Sequence, residues 1–329
     1  MASPLLLLLV FVLSLIALVK ASDFFTDAAE KIGLTLGLPP FIVGVTIVSM
    51  GTSLPELLSS LFSIFQGAPE VVVSNVVGSN IANICLVIGT AAIISARCLR
   101  ISYDLVSVDL PLFMGSALLF TLMAWDQSFS RGEALLLFIG YIMYLFYILK
   151  GSDEASGESL TPSDSDGNES AQPSVDSFRA TQLSRQGLIL LLSGIFIFLG
   201  AKYTIESLIQ LSEVLNIGKE VIAVSAVALG TSLPELIVTI SAASKGKAEI
   251  AIGNVLGSNI FNVFVVIGIP GLIQALPVPE AVIIPGLPTL VAASLMTFFI
   301  AQDKKVTIWE GWMFILFYVW FVGSVFELF

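Results

Sequence analysis

Two motifs recur in this chain at one fixed offset. GTSLPELLSS at Gly51–Ser60 returns as GTSLPELIVT at Gly230–Thr239, and SNVVGSNIANI at Ser74–Ile84 returns as GNVLGSNIFNV at Gly253–Val263; each pair stands 179 residues apart. A constant offset over two separate motifs means that the unit containing them is duplicated. Each copy places a Glu and several amides inside apolar sequence. A carboxylate in such surroundings is costly, so placing it there twice points to a functional site.

Apolar residues make up 56% of the chain and charged residues 12%, whereas about a quarter of a soluble domain is charged. Apolar runs of roughly 20 residues, enough to cross a bilayer, occur repeatedly. We therefore expect an all-α polytopic membrane protein. Ten transmembrane helices are read at about 4–28, 40–66, 71–95, 103–124, 132–150, 186–211, 219–244, 249–274, 280–301 and 307–327. Residues 1–150 form the first five-helix repeat and 186–329 the second, with the duplicated motifs in about 40–95 and 219–274. Between them, residues 151–185 are rich in Ser, Asp, Glu, Gly and Pro and read as a polar flexible linker.

The first 22 residues resemble a secretory signal, but their start carries no positive charge. Phe11–Ile32 also aligns with Leu190–Leu211 at the repeat offset, so a retained first span is expected.

Orientation follows from the basic residues of the loops. With the N-terminus outside, Lys31, Arg97, Arg100, Lys150, Arg179, Arg185, Lys245, Lys247, Lys304 and Lys305 fall inside, and only Arg131 and Lys219 fall outside. Both termini are thus placed outside and the linker in the cytoplasm, with a plasma or inner membrane as the expected location. Lys20 lies within a span, where it pairs with Asp23 or snorkels. Five spans per half make the second copy enter the membrane from the opposite side. The halves are then inverted repeats, an architecture that binds its substrate near the midplane where the repeats meet.

Several chemistries are excluded. The chain has no histidine, which removes His-ligated zinc, Ser-His catalysis and histidine proton relays. No nucleophile–base constellation appears, so the protein is not read as an enzyme. Seven acids (Asp153, Glu154, Glu158, Asp164, Asp166, Glu169 and Asp176) lie in the polar segment and contribute much of the net charge of −11. Without a basic surplus, nucleic acid is not a partner. Cys85 and Cys98 read as small residues compatible with apolar surroundings.

Taken alone, Ser53-Leu54-Pro55-Glu56 is a capping box at a helix start. Midway through a span it implies a helix break at Gly51–Pro55, with freed carbonyls near Thr52 and Ser53 lining a polar cavity. Glu235 repeats the arrangement. Ser79, Asn80 and Asn83 lie on one helix, as do Ser258, Asn259 and Asn262, and residues four apart share a face. Gly78 and Gly257 read as small residues for close helix packing. Two carboxylates with hydroxyls, amide oxygens and carbonyls make a hard-oxygen cage, suited to Ca2+ or Na+ rather than Cu or Zn. Without a cation the two carboxylates repel, so such a site should not cross the membrane empty.

The doubled GTSLPE and GNVxGSN motifs in inverted halves resemble the two alpha-repeats of the calcium/cation antiporter superfamily, and most closely its prokaryotic-type sodium/calcium exchangers of ten helices. The resemblance implies exchange of cytoplasmic Ca2+ for external Na+ by alternating access. It implies that Glu56 and Glu235 coordinate Ca2+ and contribute to Na+ sites, and that the carbonyls of Thr52 and Thr231 join them at Ca2+. The hydroxyls of Ser53, Ser79, Ser232 and Ser258 and the carbonyls of Ser49 and Ala228 would serve Na+. Asn83 and Asn262 would complete a central diamond with the two Glu residues. The first span of each half would slide across the remaining bundle. Potassium-dependent relatives carry Asp where this chain has Asn262, so K+ independence is expected. Ser74, where the second copy has Gly253, reads as tolerated variation. Asp164–Asn168 resembles part of an EF-hand loop, but its Gly is at the fourth place rather than the sixth, so calcium sensing is not expected there. The proton-coupled branch typically has a GNxxE-type motif where this chain has GTSLPE. Ca2+/H+ antiport on the same scaffold is the alternative, because the Glu pair could carry protons; a cation channel is the more distant one. No cofactor is implied. The partners are Ca2+ and Na+ as transported ions and the surrounding lipid, and no oligomeric state follows from the sequence.

Overall fold

The structure is a computed structural model of the chain. It describes residues 4–65, 67–95, 98–157, 174–214, 219–280 and 282–325. Thirteen α-helices run in chain order among these residues: α1 Pro4–Leu36, α2 Pro40–Val43, α3 Ser49–Phe65, α4 Glu70–Ile81, α5 Gly89–Ile94, α6 Asp109–Ala124, α7 Arg131–Gly157, α8 Ser174–Val214, α9 Lys219–Ser244, α10 Ala248–Phe261, α11 Gly268–Ile273, α12 Leu287–Gln302 and α13 Ile308–Val325. Four π-helical segments, Gly44–Val48, Ala82–Ile88, Asn262–Val266 and Val282–Gly286, adjoin α-helices within longer spans.

Among the described residues eight helical spans are long and apolar enough to cross a membrane; Asp109–Ala124 is a shorter apolar helix, and Ser232–Ser244 is the apolar end of the longer helix α9. Large apolar side chains face outward along them, among them Leu8, Phe62, Leu122, Phe146, Trp309 and Leu316. In water that surface would drive association; facing acyl chains it needs no covering. The protein is an integral, multi-pass membrane protein.

Burial ranks the spans. The most apolar stretch of Ala248–Ile273 is wholly buried, and that of Glu70–Ile94 is 72% buried, against 28% for Leu5–Leu36 and for Gln182–Thr204. The motif-bearing helices therefore form the centre, and α1 and α8 lie along one another at the periphery. A Cβ on Gly200 of α8 would sit 3.1 Å from the Leu18 backbone of α1, so these two helices touch nearly backbone to backbone.

Glycines bring the central helices equally close. A Cβ on Gly44 would lie 2.6 Å from the Ile250 carbonyl, one on Gly253 2.6 Å from the Phe41 carbonyl, and one on Gly257 2.5 Å from the Val45 carbonyl. The packing role read for Gly257 is borne out; Gly78 has no described atom within 4 Å of such a position.

Two short ladders close the bundle. β1 (Leu99–Arg100) pairs antiparallel with β4 (Lys305–Val306), and β2 (Ser128–Phe129) pairs with β3 (Leu276–Pro277). Each joins a strand of the first half to one of the second. The flanking contacts agree: Lys304 pairs with Asp104 at 3.4 Å, and Arg131 donates to the Ile273 carbonyl at 2.9 Å. On α1, Asp23, Asp27 and Glu30 are gripped by Lys245 and Lys247 from the turn between α9 and α10, at 2.6–3.2 Å. Asp23 thus pairs with Lys245, not with Lys20.

Two expectations are corrected. The segment 151–185 is helical at both ends, since α7 continues to Gly157 and α8 begins at Ser174. Its composition shows only that it has little to bury, and a helix already nucleated in the membrane extends into polar sequence at small cost. The residues between, 158–173, including the Asp164–Asn168 segment, lie outside the described residues. Nor is there a helix break at Gly51–Pro55: α3 starts at Ser49, directly after the π-helical segment Gly44–Val48, and runs through Pro55.

Candidate functional site

Pro55 has no N–H to donate, so the Gly51 carbonyl one turn earlier loses its helical partner. The freed carbonyl is that of Gly51 rather than those of Thr52 and Ser53. Gly51 itself makes room for the Phe25 ring of α1, 2.5 Å from where a Cβ would stand. The capping box does not form. With the helix already running at Ser49, Ser53 has no cap to make, and its hydroxyl donates across the bundle to Oε1 of Glu235 at 3.0 Å.

That bond joins the two repeats. Glu56 on α3 and Glu235 on α9 are fully buried, their helices pack together, and their carboxylates interact electrostatically. Both oxygens of Glu56 and Oε2 of Glu235 have no hydrogen-bond partner among the described residues. A buried ionised carboxylate is normally paired or on a metal. Among the described residues no Lys or Arg meets either one.

Asn83 and Asn262 come from the other motif. Both are fully buried, and both lie at the start of π-helical segments, Ala82–Ile88 and Asn262–Val266. A π turn displaces the side chains that follow it and is frequent at functional sites. Ser79 and Asn83, like Ser258 and Asn262, are thus on one continuous helical span, with a π turn setting in between them. Neither end of the Asn83 amide, nor the Asn262 Oδ1, has a partner among the described residues, and the same holds for the buried hydroxyls of Ser232 and Ser60. Buried polar atoms without partners are rare in folded proteins. Here they come from the duplicated motif spans of both halves, and most of them are oxygens.

The remaining expected residues lie on the same helical spans. Thr52 is buried, its hydroxyl 3.2 Å from the Ser49 carbonyl, 3.1 Å from Asn254 Oδ1 and 3.5 Å from the Ser258 hydroxyl. Ser49 hydrogen-bonds back to the Val45 carbonyl at 2.7 Å. Ser79 and Ser258 are buried on α4 and α10. Ala228 and Thr231 fall on α9, where side chains before Ser232 lie outside the described residues.

Sequence reasoning named Asn80 and Asn259 only as motif amides and passed over Asn254 and Thr239, which together form a second layer. Asn254 donates to Thr239 Oγ1 at 2.9 Å while accepting from Thr52, so it holds Thr52 in place. Asn80 accepts from Asn262 Nδ2 at 3.0 Å and donates to the Asn259 carbonyl at 3.3 Å. The signal was available: Asn80 and Asn259 correspond at the repeat offset, as do Asn75 and Asn254.

The chain matches the family model described as Sodium/calcium exchanger protein over residues 6–150 and 186–326. It is 37% identical to the sodium/calcium exchanger MaX1 of Methanosarcina acetivorans, over 97% of this chain and 98% of that one. It is 31% identical to the inner membrane protein YrbG of Escherichia coli, over 80% of this chain and 78% of that one. Among solved structures it resembles the sodium-calcium exchanger NCX_Mj soaked with 10 mM Na+ and zero Ca2+, with a TM-score of 0.81 and 28% identity over 98% of this chain and 99% of that one.

Proposed function

The chain belongs to the sodium/calcium exchanger protein family, and from that premise we propose that it is a secondary antiporter moving Ca2+ against Na+ by alternating access at one buried site. The observation that carries this is that Glu56, Glu235, Asn83 and Asn262, two from each half, are all fully buried with most of their oxygens unpartnered among the described residues. Two carboxylates balance one Ca2+ charge, and neutral oxygens fill out the 6–8 ligands that ion takes. Glu56 and Glu235 hold Ca2+, joined by the carbonyls of Thr52 and Thr231 through the second lone pair that a helix-bonded carbonyl keeps. Na+ is taken by the same carboxylates with the hydroxyls of Ser53, Ser79, Ser232 and Ser258 and the carbonyls of Ser49 and Ala228.

Coupling follows from electrostatics. Two buried like charges in a low-dielectric interior are strongly destabilised unless a cation lies between them. The protein therefore changes its open side at a useful rate only when loaded, and each Ca2+ that leaves is replaced by Na+ from the same side. The moving part is the α1–α8 pair, in keeping with its peripheral place and its mutual backbone contact.

Ten spans in two inverted five-helix repeats, with both termini outside, account for the ladders. In that arrangement the connection bearing β1 shares the cytoplasmic side with β4, and β2 shares the outer side with β3. Within each ladder the two strands lie on the same expected side, and the ladder β3–β2 repeats β1–β4 with the halves exchanged.

Proteoliposomes loaded with Na+ should take up radiolabelled Ca2+ when the Na+ gradient points outward, and a pH gradient alone should drive none. Uptake that follows pH and ignores Na+ would replace this reading with Ca2+/H+ antiport. Because Asn262 is neutral, the central residues carry no more than two negative charges, too few to favour an additional K+. Adding K+ to both sides should leave the Na+-driven rate unchanged, and a strict K+ requirement would refute that part.

A further inference from the structure

We propose that Asn80 is a positioning residue that turns the amide oxygen of Asn262 toward the transported cation. The inference rests on the cation site proposed above and concerns how that site is set.

A side-chain amide has two ends of nearly the same shape and opposite chemistry. The oxygen can ligate a cation, and the NH2 group, a double donor, cannot. A site that uses Asn where a carboxylate would also serve must therefore fix which end faces the ion. Around Asn262 the choice is made by a relay. Asn262 Nδ2 donates to Asn80 Oδ1 at 3.0 Å, and Asn80 Nδ2 donates to the Asn259 main-chain carbonyl at 3.3 Å. The last group only accepts and cannot turn around. Reversing Asn80 would set its oxygen against that carbonyl, and reversing Asn262 would set its oxygen against Asn80. The main-chain carbonyl thereby fixes the sense of both amides and leaves Asn262 Oδ1 as the end without a partner among the described residues. All three residues are buried.

The mirror relay, which the repeat would run from Asn83 through Asn259, is not made. Asn259 Nδ2 turns back to the Val255 carbonyl of its own helix at 2.8 Å, and Asn83 has both amide ends without a partner among the described residues. The two central amides are therefore not equivalent: Asn262 is preset, and Asn83 is not.

The test is a double-mutant cycle on the purified full-length protein, reading Ca2+ affinity by equilibrium binding of radiolabelled Ca2+. Asn80→Ala should weaken binding roughly tenfold, the lower end of what loss of a ligand-orienting partner costs a metal site. In an Asn262→Asp background both ends of the side chain are oxygens, so orientation no longer matters, and adding Asn80→Ala should change affinity by less than about twofold relative to Asn262→Asp alone, the non-additivity that marks a coupled pair. An equal loss in both backgrounds would assign Asn80 a merely structural role and overturn the proposal, as would no loss in either. Should Asn80→Ala not fold, Asn80→Ser, too short to keep both bonds, carries the same cycle. Asn262→Ala separates the two layers of inference. Unchanged Ca2+ affinity there would remove the site reading itself, whereas weakened affinity with no background dependence of Asn80→Ala would remove only the positioning role.

Discussion

Glu56→Gln and Glu235→Gln should each abolish Na+-driven Ca2+ uptake while leaving a folded, monodisperse protein. Gln keeps the shape of Glu and removes its charge. The two carboxylates are fully buried, so what they gain from a bound cation is not shared with water. Removing one member of a desolvated, directly contacting charge pair costs about 2–5 kcal/mol, which at 1.4 kcal/mol per tenfold corresponds to roughly 30-fold to several-thousand-fold weaker binding. Radiolabelled Ca2+ binding to purified variants and uptake into proteoliposomes measure the two consequences separately. Full exchange by either variant would remove the carboxylate from the site. The variants also differ in what they disturb. Glu235 accepts a hydrogen bond from Ser53, which the amide oxygen of Gln can still accept, whereas Glu56 has no bond of this kind to preserve.

Gly257→Ala should be nearly as damaging, for a reason unrelated to charge. The added methyl would stand 2.5 Å from the Val45 carbonyl, 2.7 Å from Val45 Cα and 2.6 Å from the Ser49 hydroxyl. Two of these three atoms belong to main chain that cannot step aside without moving the π-helical segment and the start of α3. Overpacking a well-filled interior costs about 1–3 kcal/mol and sometimes more. Here the displacement also passes into Thr52, Ser53 and Glu56, within two turns of the contact. The expected result is a markedly lower melting temperature in detergent together with loss of exchange. Gly115→Ala on α6 is the matched control. No described atom lies within 4 Å of its Cβ position, and Ala is favoured over Gly in a helix by up to about 1 kcal/mol, so its melting temperature should hold or rise. Wild-type stability and transport in Gly257→Ala would mean that α10 and α3 are not in the contact described.

Much of the site could be read from the chain before any coordinates. The doubled motif singled out Glu56, Glu235, Asn83 and Asn262, because an apolar span gives polar residues nowhere neutral to go, and the structure buries all four and leaves oxygens of each without a partner among the described residues. The alternation of spans grouped the loops so that the strands of each ladder share an expected side. What the sequence did not disclose has three physical origins. The π turns at Ala82 and Asn262 follow from how facing helices fit, and no residue preference marks them. The helix through Pro55 is decided by packing over local propensity: Ser53-Leu54-Pro55-Glu56 is a sound helix start in isolation, and tertiary contacts carry the helix in from Pro40 instead. The third is inequivalence between copies. Thr-Ser-Leu-Pro-Glu is identical in both halves, yet Ser53 reaches Glu235 while Ser232 has no partner among the described residues. Identical strings cannot announce different hydrogen bonds.

The two short ladders bear on what kind of object this chain is. Each needs one strand from either side of the polar segment, as does the pair of carboxylates. Mechanically the halves behave as the subunits of a dimer that share one peptide chain, and neither alone completes a ladder or, in the proposed site, a ligand set. A covalent connection between such partners acts by raising their effective concentration, so that assembly no longer depends on how much of each is made. The fit between them is written in the glycine seam, the ladders and the Ser53–Glu235 bond.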